Sequence, residues 1–382
     1  MQHLMSMQMC ALITTGRTGS DFLQSLCDSH PQIITFNGIL WLHNFWEESL
    51  CTKDNDISLN DLLTEFVGKN LAKFKSKYDT FERKDALGNN GDQCIDIDIN
   101  QYKEYVYHLL NHSEINSRNF LLAVYGAYSL SLNQDIRNKK IIIHHIHHAE
   151  KLPPFLKDFP NAKIICMTRD PRANFVSGVT HWRKFNDEFD HAHHLYNYLK
   201  RIFIDAYSIK QFKNDYIVIK VEDLGKKSIL VSFCNWLQID YDESLKLSSW
   251  GGLAWLGDRC SEKTNEGTGW SSEMLDNSWE MKLRFFDKYI LNFLMNSRLK
   301  HYKYDYKKIN FVDYLIVFLI IPVPLTFERR YFTLKYIINS VKNKLYKKIL
   351  KNLIYYPKRI IYFYFIYFGV ISGFSFNSRY LK

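Results

Sequence analysis

At 382 residues with 46% hydrophobic side chains, the chain can bury a full core and fits one large α/β domain or a domain with an appendage, which excludes a disordered protein. Its formal net charge of +10 is unevenly placed: from residue 301 onward fifteen Lys/Arg face only Asp305, Asp313 and Glu328, whereas residues 1–300 are close to neutral. The tail interleaves its cations with long apolar runs, so its basicity points to anionic lipid headgroups and away from nucleic acid.

Taken in chain order, residues 1–16 show no basic leader and no long apolar stretch, so neither a signal peptide nor an N-terminal anchor is expected. Seven cysteines (Cys10, Cys27, Cys51, Cys94, Cys166, Cys234, Cys260) follow without CxxC or other ligand spacing. That pattern suits reduced thiols and a cytoplasmic protein. Short Ile/Val-rich runs alternate with amphipathic stretches over the first 240 residues, which predicts a mostly parallel sheet covered by helices. Four strands are expected: Met9–Thr14, Lys140–His147, Lys163–Thr168 and Tyr216–Val221. Residues 51–120 are more polar and read as helices and loops shaping an acceptor site.

The first strand runs into Thr14-Thr15-Gly16-Arg17-Thr18-Gly19-Ser20-Asp21, with a helix opening at Gly19 or Ser20. Glycines permit a tight turn, and the N–H groups of a helix start beside a cationic side chain form an anion cradle. A nucleotide triphosphatase would carry GxxxxGK[ST], and no lysine stands here. The third strand leads to Arg169, with Asp170 as helix cap, Pro171 at the first helical position, and a helix over Arg172–Trp182. Arg169 leaves a strand end and Ser177 lies two turns further along, so both can meet one phosphate at the sheet edge. Read alone, Arg169 could instead pair with Asp170 or Asp223, and Ser177 could simply pack.

The string TTGRTGSDFLQSLCDSHPQI, whose helix runs into His30-Pro31, resembles the 5′-phosphosulfate loop of the sulfotransferases that use 3′-phosphoadenosine 5′-phosphosulfate (PAPS), in their bacterial and carbohydrate-type branch. The resemblance spans about residues 10–290 and includes the Arg169…Ser177 spacing and Tyr216–Leu224 (YIVIKVEDL). It implies a P-loop-like α/β fold with PAPS as co-substrate and no metal. It further implies Gly16, Arg17, Thr18, Gly19 and Ser20 around the 5′-phosphosulfate, with Arg17 also catalytic, and Arg169 and Ser177 around the 3′-phosphate. Asp21 departs from the pattern, where a hydroxyl residue is usual. A carboxylate at an anion site is unfavourable unless it points away.

Sulfuryl transfer needs a base for the acceptor, and neutral imidazole suits that task. Ile141–Glu150 reads IIIHHIHHAE, and strand alternation puts His145 and His147 on one face. By the resemblance, counting back from Arg169 through Leu152-Pro153-Pro154 makes His147 the base, with His145 second. Glu47, Glu48 and Glu150 are the carboxylate alternatives. A His-x-His metal site lacks matching Cys, Asp or Glu spacing.

Ser248–Asp258 (SSWGGLAWLGD) and Thr264–Trp270 (TNEGTGW) resemble the Gly-rich, Trp-bearing loops of the same branch. Trp250, Trp255 and Trp270 are either platforms for sugar or nucleotide or core residues. A glycan or glycolipid hydroxyl or amine is the preferred acceptor. Beyond residue 300 two uncharged runs follow, Tyr314–Phe327 and Ile360–Phe376, the first broken by Pro322 and Pro324. Both are short for spanning, so the tail is expected to lie in a membrane interface or to pack as a core or oligomer helix. The expected organisation is a catalytic domain at 1–300 and a helical, basic C-terminal appendage at 301–382, peripheral on the cytoplasmic membrane face. Competing readings are a P-loop small-molecule kinase and a non-enzymatic membrane scaffold with a decayed nucleotide site.

Overall fold

The structure, a computed structural model, describes residues 1–52, 58–185, 191–208, 213–258, 269–271 and 279–372. In chain order the elements that frame the site are β1 (Gln8–Ile13), α1 (Ser20–Cys27), β2 (Ile33–Ile34), α2 (Ser117–Ser131), β3 (Ile141–His147), β4 (Lys163–Thr168), α3 (Pro171–Phe185), α4 (Ala192–Ser208) and β5 (Tyr216–Lys220). The C-terminal layer contains α5 (Phe285–Leu294), α6 (Phe311–Ile320), α7 (Leu334–Lys342) and α8 (Tyr346–Ile371).

The five strands form one sheet in the order β2-β3-β1-β4-β5, and every pairing in it is parallel. Strands covered on both faces must be apolar throughout, and Cys10, Ala11, Leu12, Ile142, Ile164, Ile165 and Ile217 are accordingly buried. The protein is therefore α/β with a mostly parallel sheet flanked by helices. The four strands expected from apolar runs are present with ends shifted by one residue at most. The two-residue β2 was not anticipated, being too short to show a period.

Parallel pairing brings the carboxyl ends of β1, β3 and β4 to one edge. The chain leaves β1 toward β2 and β3 on one side, then crosses to β4 and β5 on the other. The crevice between the ends of β1 and β4 is thus a topological switch point, where open α/β sheets bind ligands.

Two apolar cores support this edge. The larger gathers the sheet, α1, α2 and their neighbours. The second joins Phe175 and Val179 of α3 and Leu199 and Ile202 of α4 to Leu291 of α5, Val317 of α6 and Phe363 of α8. Packing therefore runs across the compositional change near residue 300. Phe203 meets Phe363 with ring centroids 6.0 Å apart. Among the described residues no helix is long and apolar enough to cross a membrane. Arg359, expected with the lipid-facing cations, is instead fully buried beside Glu328 at 3.3 Å.

Candidate active site

The loop after β1 is held from three sides. The Thr14 N–H donates to the His147 carbonyl at 2.7 Å, the Gly16 N–H to the Thr14 hydroxyl at 3.0 Å, and the Thr18 and Thr14 hydroxyls pair. Thr18 therefore points inward and closes the turn. The Tyr198 hydroxyl of α4 donates toward the Gly16 carbonyl at 3.2 Å and to the Asn174 side chain, while the Asn174 amide donates to Thr15 at 3.0 Å. Asn174 and Tyr198 thus latch the loop, a role that sequence reading missed. The signal was available for Asn174, which shares a helical stripe with Asp170 and Ser177.

Gly19 precedes α1 with φ +82°, and a Cβ there would lie 2.4 Å from Val221 Cγ2, so only glycine fits. Ser20 opens the helix and is buried. Arg17, also at positive φ (55°), turns its guanidinium to Asp258 at 3.0 Å and its Nε to the Ser177 hydroxyl at 3.5 Å. The structure thereby joins Arg17 and Ser177 from the two separate sequence elements.

Asp170 caps α3 by accepting the Arg172 N–H at 2.9 Å. Its carboxylate also takes two guanidinium bonds from Arg172, at 3.0 and 2.6 Å, and Asp223 pairs with Lys220 and Lys226. Arg169 is therefore not the partner of either aspartate. It donates no hydrogen bond among the described residues and lies near Glu222 and Arg17, with burial holding its pKa below the ordinary arginine value. Glu222 itself accepts the Asp170 N–H at 2.9 Å and the Tyr304 hydroxyl at 3.0 Å.

His147 ends β3 at φ +73°, where the β1–β3 register shifts between Leu12 and Ile13. A non-glycine residue there is strained and needs surroundings that hold it. Gln24, buried on α1, supplies an anchor. Its amide nitrogen donates to the Phe36 and Gly38 carbonyls at 2.7 and 3.3 Å, so its oxygen faces His145 Nδ1 at 2.9 Å. Since that oxygen only accepts, Nδ1 of His145 carries the proton and Nε2 offers a lone pair. Nε2 lies 3.3 Å from His147 Nδ1, which must donate. The remaining nitrogen, His147 Nε2, is thus the unprotonated one, and it would lie 3.8 Å from a Cβ built on Gly16. Burial, then His148 and Arg201, push the His147 pKa down to about 3. Burial and His147 hold His145 well below the usual range. Both rings are neutral near pH 7.

The neighbouring His144 and the carboxylate candidates sit elsewhere. His144 is buried, hydrogen-bonded to Tyr125 at 2.9 Å. Glu47, Glu48 and Glu150 are exposed, and Glu48 pairs with Lys69 at 3.2 Å. Among the described residues, no group of three His, Cys, Asp or Glu side chains is arranged to hold a metal ion.

Asp21 turns away from the loop toward His145, Oδ1 3.6 Å from Nδ1, and that buried oxygen has no hydrogen-bond partner among the described residues. Burial and Glu82 raise its pKa to about 7, against Lys84. A protonated carboxyl does not repel an anion as a carboxylate would. Lys84 is itself buried, paired with Glu82 at 2.7 Å and stacked on Trp250 at 3.9 Å. The segment 51–120 thus contributes a buried lysine and a half-buried glutamate beside Asp21.

The loop from Ser248 is a clasp. Asp28 at the end of α1 accepts the Ser249 hydroxyl at 3.0 Å and the Gly252 N–H at 2.9 Å, and Asp258 reaches Arg17. Trp250 and Trp255 are buried, and Trp255 donates to the Glu82 carbonyl at 2.8 Å. Neither can stack on a sugar, which corrects the platform reading for both. Trp270 is half-buried with Nε1 3.4 Å from the Val221 carbonyl. Residues 264–268 and Cys260 lie outside the described residues.

Residues 12–228 match the sequence pattern of the Sulfotransferase family. The chain belongs to that family. Among solved structures, this sulfotransferase is similar to the sulfotransferase domain from the curacin biosynthetic pathway, with 16% identity and a TM-score of 0.41, over 73% of this chain and 91% of that one. It is also similar to the sulfotransferase domain of the Synechococcus PCC 7002 olefin synthase, with 16% identity and a TM-score of 0.38, over 72% and 86% of the two chains. No curated protein matches the sulfotransferase.

Proposed function

We propose that the protein transfers the sulfuryl group of PAPS to a hydroxyl or amine acceptor, with His147 as general base. What carries this reading is the neutral His147, whose lone-pair nitrogen is held over Gly16 of the phosphate loop. The N–H groups at the start of α1, with Arg17 and the Ser20 hydroxyl, bind the 5′-phosphosulfate, and Thr18 closes the loop beneath them. Arg169 and Ser177 take the 3′-phosphate. The acceptor oxygen or nitrogen forms a bond to sulfur as the bond from sulfur to the 5′-phosphate oxygen breaks. The bonding pair stays on that phosphate oxygen, where Arg17 offsets the charge. The acceptor proton passes to His147 Nε2. The products are the sulfated acceptor and 3′-phosphoadenosine 5′-phosphate.

The Gln24–His145–His147 chain supports His147 over His145 as the base, because both nitrogens of His145 are used in holding its neighbour. Buried Lys84 and half-buried Glu82 and Asp21 on the acceptor side favour a polar acceptor, a glycan or glycolipid among them.

Titration calorimetry tests the donor. The expected result is binding of 3′-phosphoadenosine 5′-phosphate with little binding of ATP. Preference for ATP would make the site that of a kinase. Absence of binding to either nucleotide would leave a scaffold.

A further inference from the structure

Between residues 306 and 372 the sequence holds two carboxylates, Asp313 and Glu328, and both are buried. Asp313 accepts from the Tyr289 hydroxyl at 2.5 Å and from Lys307 at 2.8 Å. Glu328 faces Arg359 and accepts from Tyr355. The outer surface of this segment is therefore free of negative charge, while Lys335, Lys342, Lys347, Lys351 and Lys358 are exposed.

The same surface is apolar in stripes. On α6, Phe311, Leu315 and Leu319 recur every four residues and are 74, 52 and 73% exposed, whereas Asp313 and Val317 face inward. On α7, Leu334 and Ile338 are exposed. On α8, Ile354, Ile361, Phe365 and Phe368 follow helical spacing and are all exposed. α6 and α8 lie antiparallel, tied by Tyr364 to the Phe318 carbonyl at 3.0 Å and Tyr367 to the Tyr314 carbonyl at 3.1 Å. α7 and α8 also touch. Soluble monomers rarely leave so many large apolar side chains together in water.

We propose that α6, α7 and α8 form a docking surface for an anionic lipid bilayer, lying in its interface without crossing it. Charge complementarity selects this occupant: lysines without exposed carboxylates match anionic headgroups, and the apolar stripes match the acyl boundary. The packing of α8 on α4 then holds the active site close to that surface. A membrane-borne acceptor would meet the site there.

The test is sedimentation of the full chain with vesicles of phosphatidylcholine, with and without about a third phosphatidylglycerol. The expected result is binding to the anionic vesicles, weaker binding to the neutral ones, and partial release as salt is raised. L319E/F365E, at two exposed positions, should cut binding roughly tenfold or more while keeping the melting temperature. K347E/K351E serves the same purpose through charge, and it should weaken anionic binding without changing the fold. Equal binding to both vesicle types would overturn the proposal. So would a lipid-free dimer that L319E/F365E converts to monomer, because a second copy would then cover the surface.

Discussion

Arg359 in the C-terminal layer is fully buried and Arg169 at the sheet edge half-buried, and their surroundings differ further. Arg359 is enclosed: it donates to the Ile321 and Val323 carbonyls, neighbours Glu328 and lies over the Phe363 ring at 4.1 Å. Arg169 has its nearby carboxylate, Glu222, already engaged with the Asp170 N–H and Tyr304. A buried cation neutralised by its own fold is part of the structure. A cation that donates no hydrogen bond among the described residues, at the end of a strand and beside an anion cradle, has the character of a ligand-binding group. The same contrast separates Asp313, fully bonded, from Asp21, whose buried oxygen is orphaned.

The largest expected effect lies at the edge. His147→Ala should lower turnover by about 10²–10⁴-fold while nucleotide affinity stays nearly unchanged, as read by steady-state kinetics and calorimetry. Gln24→Met, which removes the acceptor that fixes His145, should lower turnover by a smaller factor and alter the ring nitrogen shifts of His147. A fully active His147→Ala enzyme would move the base elsewhere. In the C-terminal layer, Arg359→Ala should cost about 3–5 kcal/mol of stability, because Glu328 is left buried and unpaired. If the melting temperature of that variant were unchanged, the contrast with Arg169 would collapse.

Asp21 gives the smallest effect, with a definite sign. Its folded pKa near 7 stands above the ordinary aspartate value, so the native state binds the extra proton between the two. That contribution to stability is complete in acid and is lost as pH rises through 7. Asp21→Asn should therefore gain on the wild type in melting temperature between pH 5 and pH 8. It should also remove a loss of donor affinity over the same range. A constant difference at all pH values would mean that Asp21 does not titrate there.

The edge was more legible in the sequence than the C-terminal layer. β1, β3, β4 and β5 announce themselves as short, mostly apolar runs because both faces are buried, and Asp170-Pro171 marks the start of α3. Positive φ at His147 was not legible, since it depends on a register shift between strands over a hundred residues apart. Gln24 left no clear trace, because its neighbours on the helix face, Ser20, Cys27 and Asp28, mix polar and apolar side chains. The tail was read by composition alone. Composition reported its lysines but not that Arg359 turns inward to Glu328, nor that Phe363 and Tyr355 enter the core with α4. Trp250 and Trp255 were ambiguous because an aromatic ring suits a core and a platform equally, and only tertiary contact decides.

In the proposed function the two sequence elements hold the two ends of one 3′-phosphorylated donor. The most direct measurement of this compares wild type with Arg169→Ala in calorimetric titrations with 3′-phosphoadenosine 5′-phosphate and with adenosine 5′-phosphosulfate. A charge-assisted contact is worth about 1.5–3 kcal/mol, so the substitution should weaken the 3′-phosphorylated ligand roughly 10- to 100-fold and leave adenosine 5′-phosphosulfate nearly unaffected. Equal losses for the two ligands would contradict the account, because Arg169 would then not read the 3′-phosphate.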